Sequence, residues 1–126
     1  MDENAISQQI VTAAVEVHRT LGGPGLLESV YEEALCWELQ QAGMFVERQK
    51  ALPIRYKTVK LATPLKVDLM VGGLVVVECK ATVDYNAIFE AQALTYLRLS
   101  GLKLALVINF GERLVKHGIH RVVNNL

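Results

Sequence analysis

Two stretches near the start of the chain repeat apolar residues at three- and four-residue intervals. Ile6, Ile10, Ala13, Ala14, Val17 and Leu21 mark one amphipathic helix over about residues 4–21. Gly22-Gly23-Pro24-Gly25 then breaks it. Leu27, Val30, Tyr31, Ala34, Leu35 and Leu39 predict a second helix over about residues 27–42, stopped by Gly43. The period then falls to two. Phe45–Tyr56 reads as a strand, with Pro53 marking an edge or a bulge. Leu65, Val67, Leu69 and Val71 alternate with Lys66, Asp68 and Met70, so the two sets should occupy opposite faces of one strand. Gly72-Gly73 predicts a hairpin turn, and Leu74–Ala81 is the most β-prone run. A third helix is expected over Tyr85–Ser100, capped by Asp84 and stopped by Gly101. Lys103–Asn109 has the unbroken apolar character of a buried central strand, and Ile119–Val123 closes the chain as a short one. The order ααβββαββ predicts a mixed α/β fold whose last helix crosses between strands.

Composition narrows the class. Of 126 residues, 52% are hydrophobic and 21% charged, which excludes a disordered chain and predicts one domain over residues 1–126. No apolar run reaches the length of a membrane span, so no membrane partner is expected. The acidic start Met1-Asp2-Glu3-Asn4 predicts no secretory signal. Cys36 and Cys79 alone make no disulfide framework, so a reducing cytoplasm is expected. Mean hydropathy is +0.27, and in so small a chain this favours a homodimer.

The net charge of zero conceals segregation. Residues 1–47 carry eight acids and one base, whereas residues 48–66 carry six bases and no acid. Arg48, Lys50, Arg55, Lys57, Lys60 and Lys66 form a basic stripe that could track a phosphate backbone. The competing reading makes them the solvent-facing positions of edge strands.

Candidate chemistry centres on Glu78-Cys79-Lys80. Glu78 and Lys80 share a strand face, while Cys79 points into the core. Taken alone, such a triplet is often an ordinary ion pair. Here, however, the acid follows the apolar run Leu74–Val77, where a carboxylate needs a partner. Two carboxylates and a lysine converging at a sheet end suit metal-assisted phosphodiester hydrolysis. Asp68 is the second acid. A tight two-residue turn at Gly72-Gly73 would put Asp68 opposite Val77, facing away from Glu78. A three-residue loop or a glycine bulge would bring Asp68 onto the face of Glu78 and Lys80. The odd loop is expected. The histidines are not read as zinc ligands: His18 is expected to cap the first helix or support a neighbour, and Gly118 separates His117 from His120.

Gly25-Leu26-Leu27-Glu28-Ser29-Val30-Tyr31 resembles the signature of the GxxExxY proteins, a group similar to the RecB-like branch of the PD-(D/E)XK nucleases. Glu47-Arg48-Gln49, Val67-Asp68-Leu69, Val77-Glu78-Cys79-Lys80-Ala81, Glu90-Ala91-Gln92 and Val107-Ile108-Asn109-Phe110-Gly111 extend the resemblance in order along nearly the whole chain. Phe89 and Lys66 stand where that pattern often has His and Arg. The resemblance implies an αβββαβ core preceded by an extra helix. It also implies a Mg²⁺- or Mn²⁺-dependent nuclease acting on nucleic acid; DNA is favoured over RNA as the partner, and the sequence does not separate the two. Asp68, Glu78 and Glu28 would be metal ligands, and Lys80, Gln92 and Tyr96 catalytic, with Tyr31 packing behind Glu28. The alternative carried beside it is an inactive module of the same fold that binds nucleic acid or protein.

Overall fold

A computed structural model describes every residue from Met1 to Leu126. Helix α1 (Glu3–Leu21) starts where the Asp2 carboxylate accepts the Ala5 N–H at 2.8 Å, a cap worth about 1 kcal/mol. Helix α2 (Glu28–Gln41) follows the glycine-rich loop. Strands β1 (Val46–Leu52), β4 (Leu65–Val71), β5 (Val75–Lys80), β6 (Leu104–Asn109) and β7 (Ile119–Val123) form a sheet in the order β1-β4-β5-β6-β7. Only β5 and β6 run parallel, joined by helix α3 (Ile88–Ser100). A 3₁₀ turn, Val115–Gly118, leads into β7.

Each helix buries its apolar stripe against one sheet face. On one side, Ile6, Ile10 and Val17 of α1 and Leu35 and Leu39 of α2 pack on Val75, Val77, Leu106 and Ile108. On the other, Ala93 and Leu97 of α3 pack on Met70, Val76, Ala105 and Val107. This is the mixed α/β architecture that the periodicities predict. No helix is long and apolar enough to cross a membrane.

Three local expectations are corrected. Phe45–Tyr56 is not one strand: β1 stops at Leu52, because Pro53 removes a ladder donor, and a separate hairpin follows. It consists of β2 (Arg55–Tyr56) and β3 (Val59–Lys60). Asp84 does not cap α3. The helix begins three residues later than expected, at Ile88, whose N–H is taken by the Asn86 side chain at 2.9 Å. Val67 does not share a face with Leu69 and Val71. It packs on the α3 side with Met70 and Val76, since regular pairing with β5 ends at Leu69.

The β4–β5 hairpin has the odd loop that the buried charge requires. Val71 pairs with Val75 across Gly72-Gly73-Leu74, and both glycines adopt positive φ, +62° and +69°. Because β4 and β5 are antiparallel and β5 and β6 parallel, the start of β4, the end of β5 and the end of β6 lie at one end of the sheet. The β2–β3 hairpin, inserted between β1 and β4, projects from that end.

Candidate active site

The glycine-rich loop is tied down by one phenol. Tyr31 is fully buried, its hydroxyl donating to the Gly23 carbonyl at 2.7 Å and accepting the Leu26 N–H at 3.1 Å. Its ring stacks on Phe110, with centroids 4.8 Å apart. The loop is thereby fixed, and Glu28 is delivered to the first turn of α2. His18 supports the same corner: it caps nothing, and its Nε2 lies 3.2 Å from the Phe110 carbonyl oxygen. Tyr31→Phe, which leaves both loop groups without their shared partner, is expected to cost about 1–2 kcal/mol in denaturant unfolding.

Asp68 and Glu78 meet where the β4–β5 ladder ends. The last regular pair there is Leu69 with Val77, which sets Asp68 opposite Glu78. Beyond that pair the Asp68 carboxylate accepts the Cys79 N–H at 2.8 Å. Glu78 is buried, and its Oε1 has no hydrogen-bond partner. Burial pushes its carboxyl up to about 9, with the neighbouring Asp68 charge adding and Lys80 opposing. Cys79 points the other way and is wholly buried, so its thiol is pushed well above its ordinary range.

A second group of polar residues braces Asp68 from the α2 side. Glu32 is buried and ion-paired with Arg48 at 2.7 Å. The Gln49 amide donates to both Glu32 oxygens, at 2.9 and 3.1 Å, and reaches Asp68 Oδ1 at 3.5 Å. To do so, Gln49 takes a left-handed conformation, φ +52°, in the strand position facing Asp68, a strain of about 1–3 kcal/mol. Charge counting does not single out Gln49 or Glu32. Their only signal in the sequence is that Glu32 lies one turn after Glu28 and that Gln49 falls within Glu47-Arg48-Gln49. Leu27, Glu28, Ser29, Glu32, Arg48, Gln49 and Asp68 line an open cleft of about 530 Å³. Glu28 stands at its mouth. Desolvation raises its pKa, the Asp68 and Glu32 charges raise it further, and Lys80 opposes them.

From the other side α3 contributes Gln92 and Tyr96. Burial raises the Tyr96 phenol, and the Glu78 and Asp68 charges raise it further, while a hydrogen bond with Gln92 opposes them. Lys80 ends β5 beside Glu78, half-buried. Its strand exit is clamped by the buried Asn109, whose amide oxygen accepts the Thr82 and Gly111 N–H groups and whose NH₂ donates to the Thr82 carbonyl. Gly111 is required at this crossing, since a Cβ there would lie 2.3 Å from the Thr82 carbonyl oxygen. The six candidate residues Glu28, Asp68, Glu78, Lys80, Gln92 and Tyr96 thus surround one end of the sheet.

The basic stripe divides. Arg48 is turned inward onto Glu32 and Glu33, and Lys50 pairs with Glu47 at 2.7 Å. Arg55, Lys57 and Lys60 lie exposed on the β2–β3 hairpin, and Lys66 is exposed on β4; none of the four takes part in an ion pair. Lys57 lies 5.5 Å from the centre of the exposed Tyr56 ring.

No three His, Cys, Asp or Glu side chains stand close enough to enclose an ion alone. A hard cation such as Mg²⁺ does not need three, because it keeps several waters and takes one or two carboxylates with substrate phosphate. The Asp68–Glu78 pair, with an unpartnered buried oxygen, fits such an ion. Comparison with curated proteins and with solved structures finds no match. The family profile that does match, over residues 4–122, describes the PD-(D/E)XK nuclease superfamily. That match spans nearly the whole chain, and the chain belongs to the PD-(D/E)XK nuclease superfamily.

Proposed function

We propose that the chain is a Mg²⁺- or Mn²⁺-dependent nuclease that hydrolyses phosphodiester bonds in DNA, within a single domain of residues 1–126. The carrying observation is the Asp68–Glu78 pair, where a buried carboxyl oxygen has no partner beside a lysine. Asp68 and Glu78 would hold the ion, and Glu28, which does not stand close enough to complete a three-carboxylate cage, would reach it through a coordinated water at the cleft mouth. When bound, such an ion acidifies a coordinated water and stabilises charge on the scissile phosphate. Lys80 attracts the developing negative charge and orients the attacking water. Gln92 and Tyr96, one helical turn apart, face the same point and orient water or phosphate. The Gly25–Tyr31 segment, which runs from the glycine-rich loop into the first turn of α2, and the Gln92–Tyr96 pair also support membership of the GxxExxY group near the RecB-like branch.

Nucleic acid would be gripped by the β2–β3 hairpin. Its Arg55, Lys57 and Lys60 are free of internal ion pairs and rise from the sheet end that carries Lys80. Lys66 stands on the same approach, whereas Arg48 is engaged with Glu32 and Glu33 and Lys50 with Glu47. Lys57→Ala with Lys60→Ala is therefore expected to weaken binding on every sequence and lower the slope of log K against log[salt] by about two, with stability unchanged.

The test of the whole reading is incubation with single-stranded DNA, double-stranded DNA and RNA, in Mg²⁺, in Mn²⁺ and in EDTA. DNA cleavage that needs the cation is the expected result. Cleavage of RNA alone would move the substrate class. A folded protein that cuts nothing would leave the inactive module.

A further inference from the structure

The ammonium of Lys80 has no acidic partner: no ion pair in the molecule includes it. Its close neighbour is instead an aromatic face, with Nζ 4.6 Å from the centre of the Phe89 ring. A cation at that distance is held by the negative face of the ring. The attraction restrains a side chain with four flexible bonds without neutralising its charge.

The ring is itself braced. Tyr85 meets Phe89 edge-on, with centroids 5.4 Å apart, and stacks on His120 of β7 at 4.1 Å. The Glu90 carboxylate accepts the Tyr85 hydroxyl at 3.3 Å and lies 3.8 Å from His120 Nδ1. The row His120–Tyr85–Phe89 thus links the outer strand β7 to the lysine through the approach to α3. A lysine paired with Glu28 or Glu78 would be drawn onto a carboxylate that the proposed reaction needs free. A lysine on a ring face stays charged and available.

We propose that Phe89 is a positioning residue for Lys80, holding its ammonium by a cation–π contact ready for the reacting phosphate. This rests on the nuclease reading for its purpose, but the contact can be seen without it. In proton–carbon NMR of the labelled full-length protein, the Lys80 εCH₂ protons should lie upfield of those of the other lysines, shifted by the ring current of Phe89. Phe89→Leu, which keeps an apolar residue of similar bulk, should return them to the ordinary position. It should also lower kcat roughly tenfold, with KM changed less than about twofold. Phe89→Tyr, which keeps the ring face, should restore both the shift and the rate.

An ordinary Lys80 shift in the wild type would overturn the proposal. So would a Phe89→Leu protein that cuts at the wild-type rate, or a Phe89→Tyr protein as slow as Phe89→Leu. If the wild type shows the upfield shift yet cuts no nucleic acid, the nuclease reading falls, and the positioning role falls with it, while the contact itself is confirmed.

Discussion

In EDTA at neutral pH, Glu78→Gln is expected to be more stable than the wild type by on the order of 3 kcal/mol. The sign follows from the raised carboxyl. Its folded value is about 9 against an ordinary 4.5, so between those values the native chain holds a proton that the unfolded chain has released. The contribution of Glu78 to wild-type stability must then fall as pH rises from 4.5 to 9, by roughly 1.4 kcal/mol per pH unit. Below pH 4.5 both states are protonated and this loss vanishes. The substituted glutamine is neutral throughout, and its amide can donate where the carboxyl proton would. The two proteins should therefore match in acid and diverge steadily towards pH 9. By pH 7 the difference corresponds to a midpoint gain on the order of 10 °C. Urea unfolding at several pH values checks this, and parallel curves would refute it. The same variant is expected to lose cleavage, because the site needs Glu78 able to give up its proton.

Lys80→Ala is expected to lower the cleavage rate about 10²–10³-fold while substrate binding and melting change little. Lys80 is half-buried at a strand end and takes part in no ion pair, so its removal leaves no buried charge behind. Its loss falls on the step where negative charge develops. Lys80→Arg should recover little, since a planar guanidinium is larger and spreads its charge over a fork. Single-turnover rates beside equilibrium binding to a DNA oligonucleotide separate the two effects. Equal losses in both would make Lys80 a binding residue.

What was legible in the sequence were the elements built from long periodic runs and the acids that apolar neighbours made conspicuous. Both early helices, the hairpin and its odd loop followed from apolar spacing, two glycines and the need to give Glu78 company. The glycine-rich loop with Tyr31 was visible as a motif, though the hydroxyl that ties it to Gly23 and Leu26 was not. The β2–β3 hairpin is not legible there, because Pro53 splits what composition reads as one strand. Asp84 looked like a helix cap, but Asn86 lies nearer the observed helix start and supplies the bond. Glu32 and Gln49 stayed hidden for a more general reason. Their work is a long-range hydrogen-bond network, and one of them depends on an unusual backbone angle that no propensity encodes. The stripe of six bases looks uniform in the sequence, and only the fold separates Arg48 and Lys50, each engaged with an acid, from the four free to meet phosphate.

The most direct measurement is calorimetric titration of Mn²⁺ into the wild type and Glu78→Gln at pH 7, in buffers of different ionisation enthalpy. Expected is binding by the wild type with release of about one proton per ion, since the Glu78 carboxyl must ionise to become a ligand, and no comparable binding by the variant. A folded wild type that binds no Mn²⁺ up to millimolar concentration, or a variant that binds it equally well, would contradict the Asp68–Glu78 pair as the metal centre of a nuclease.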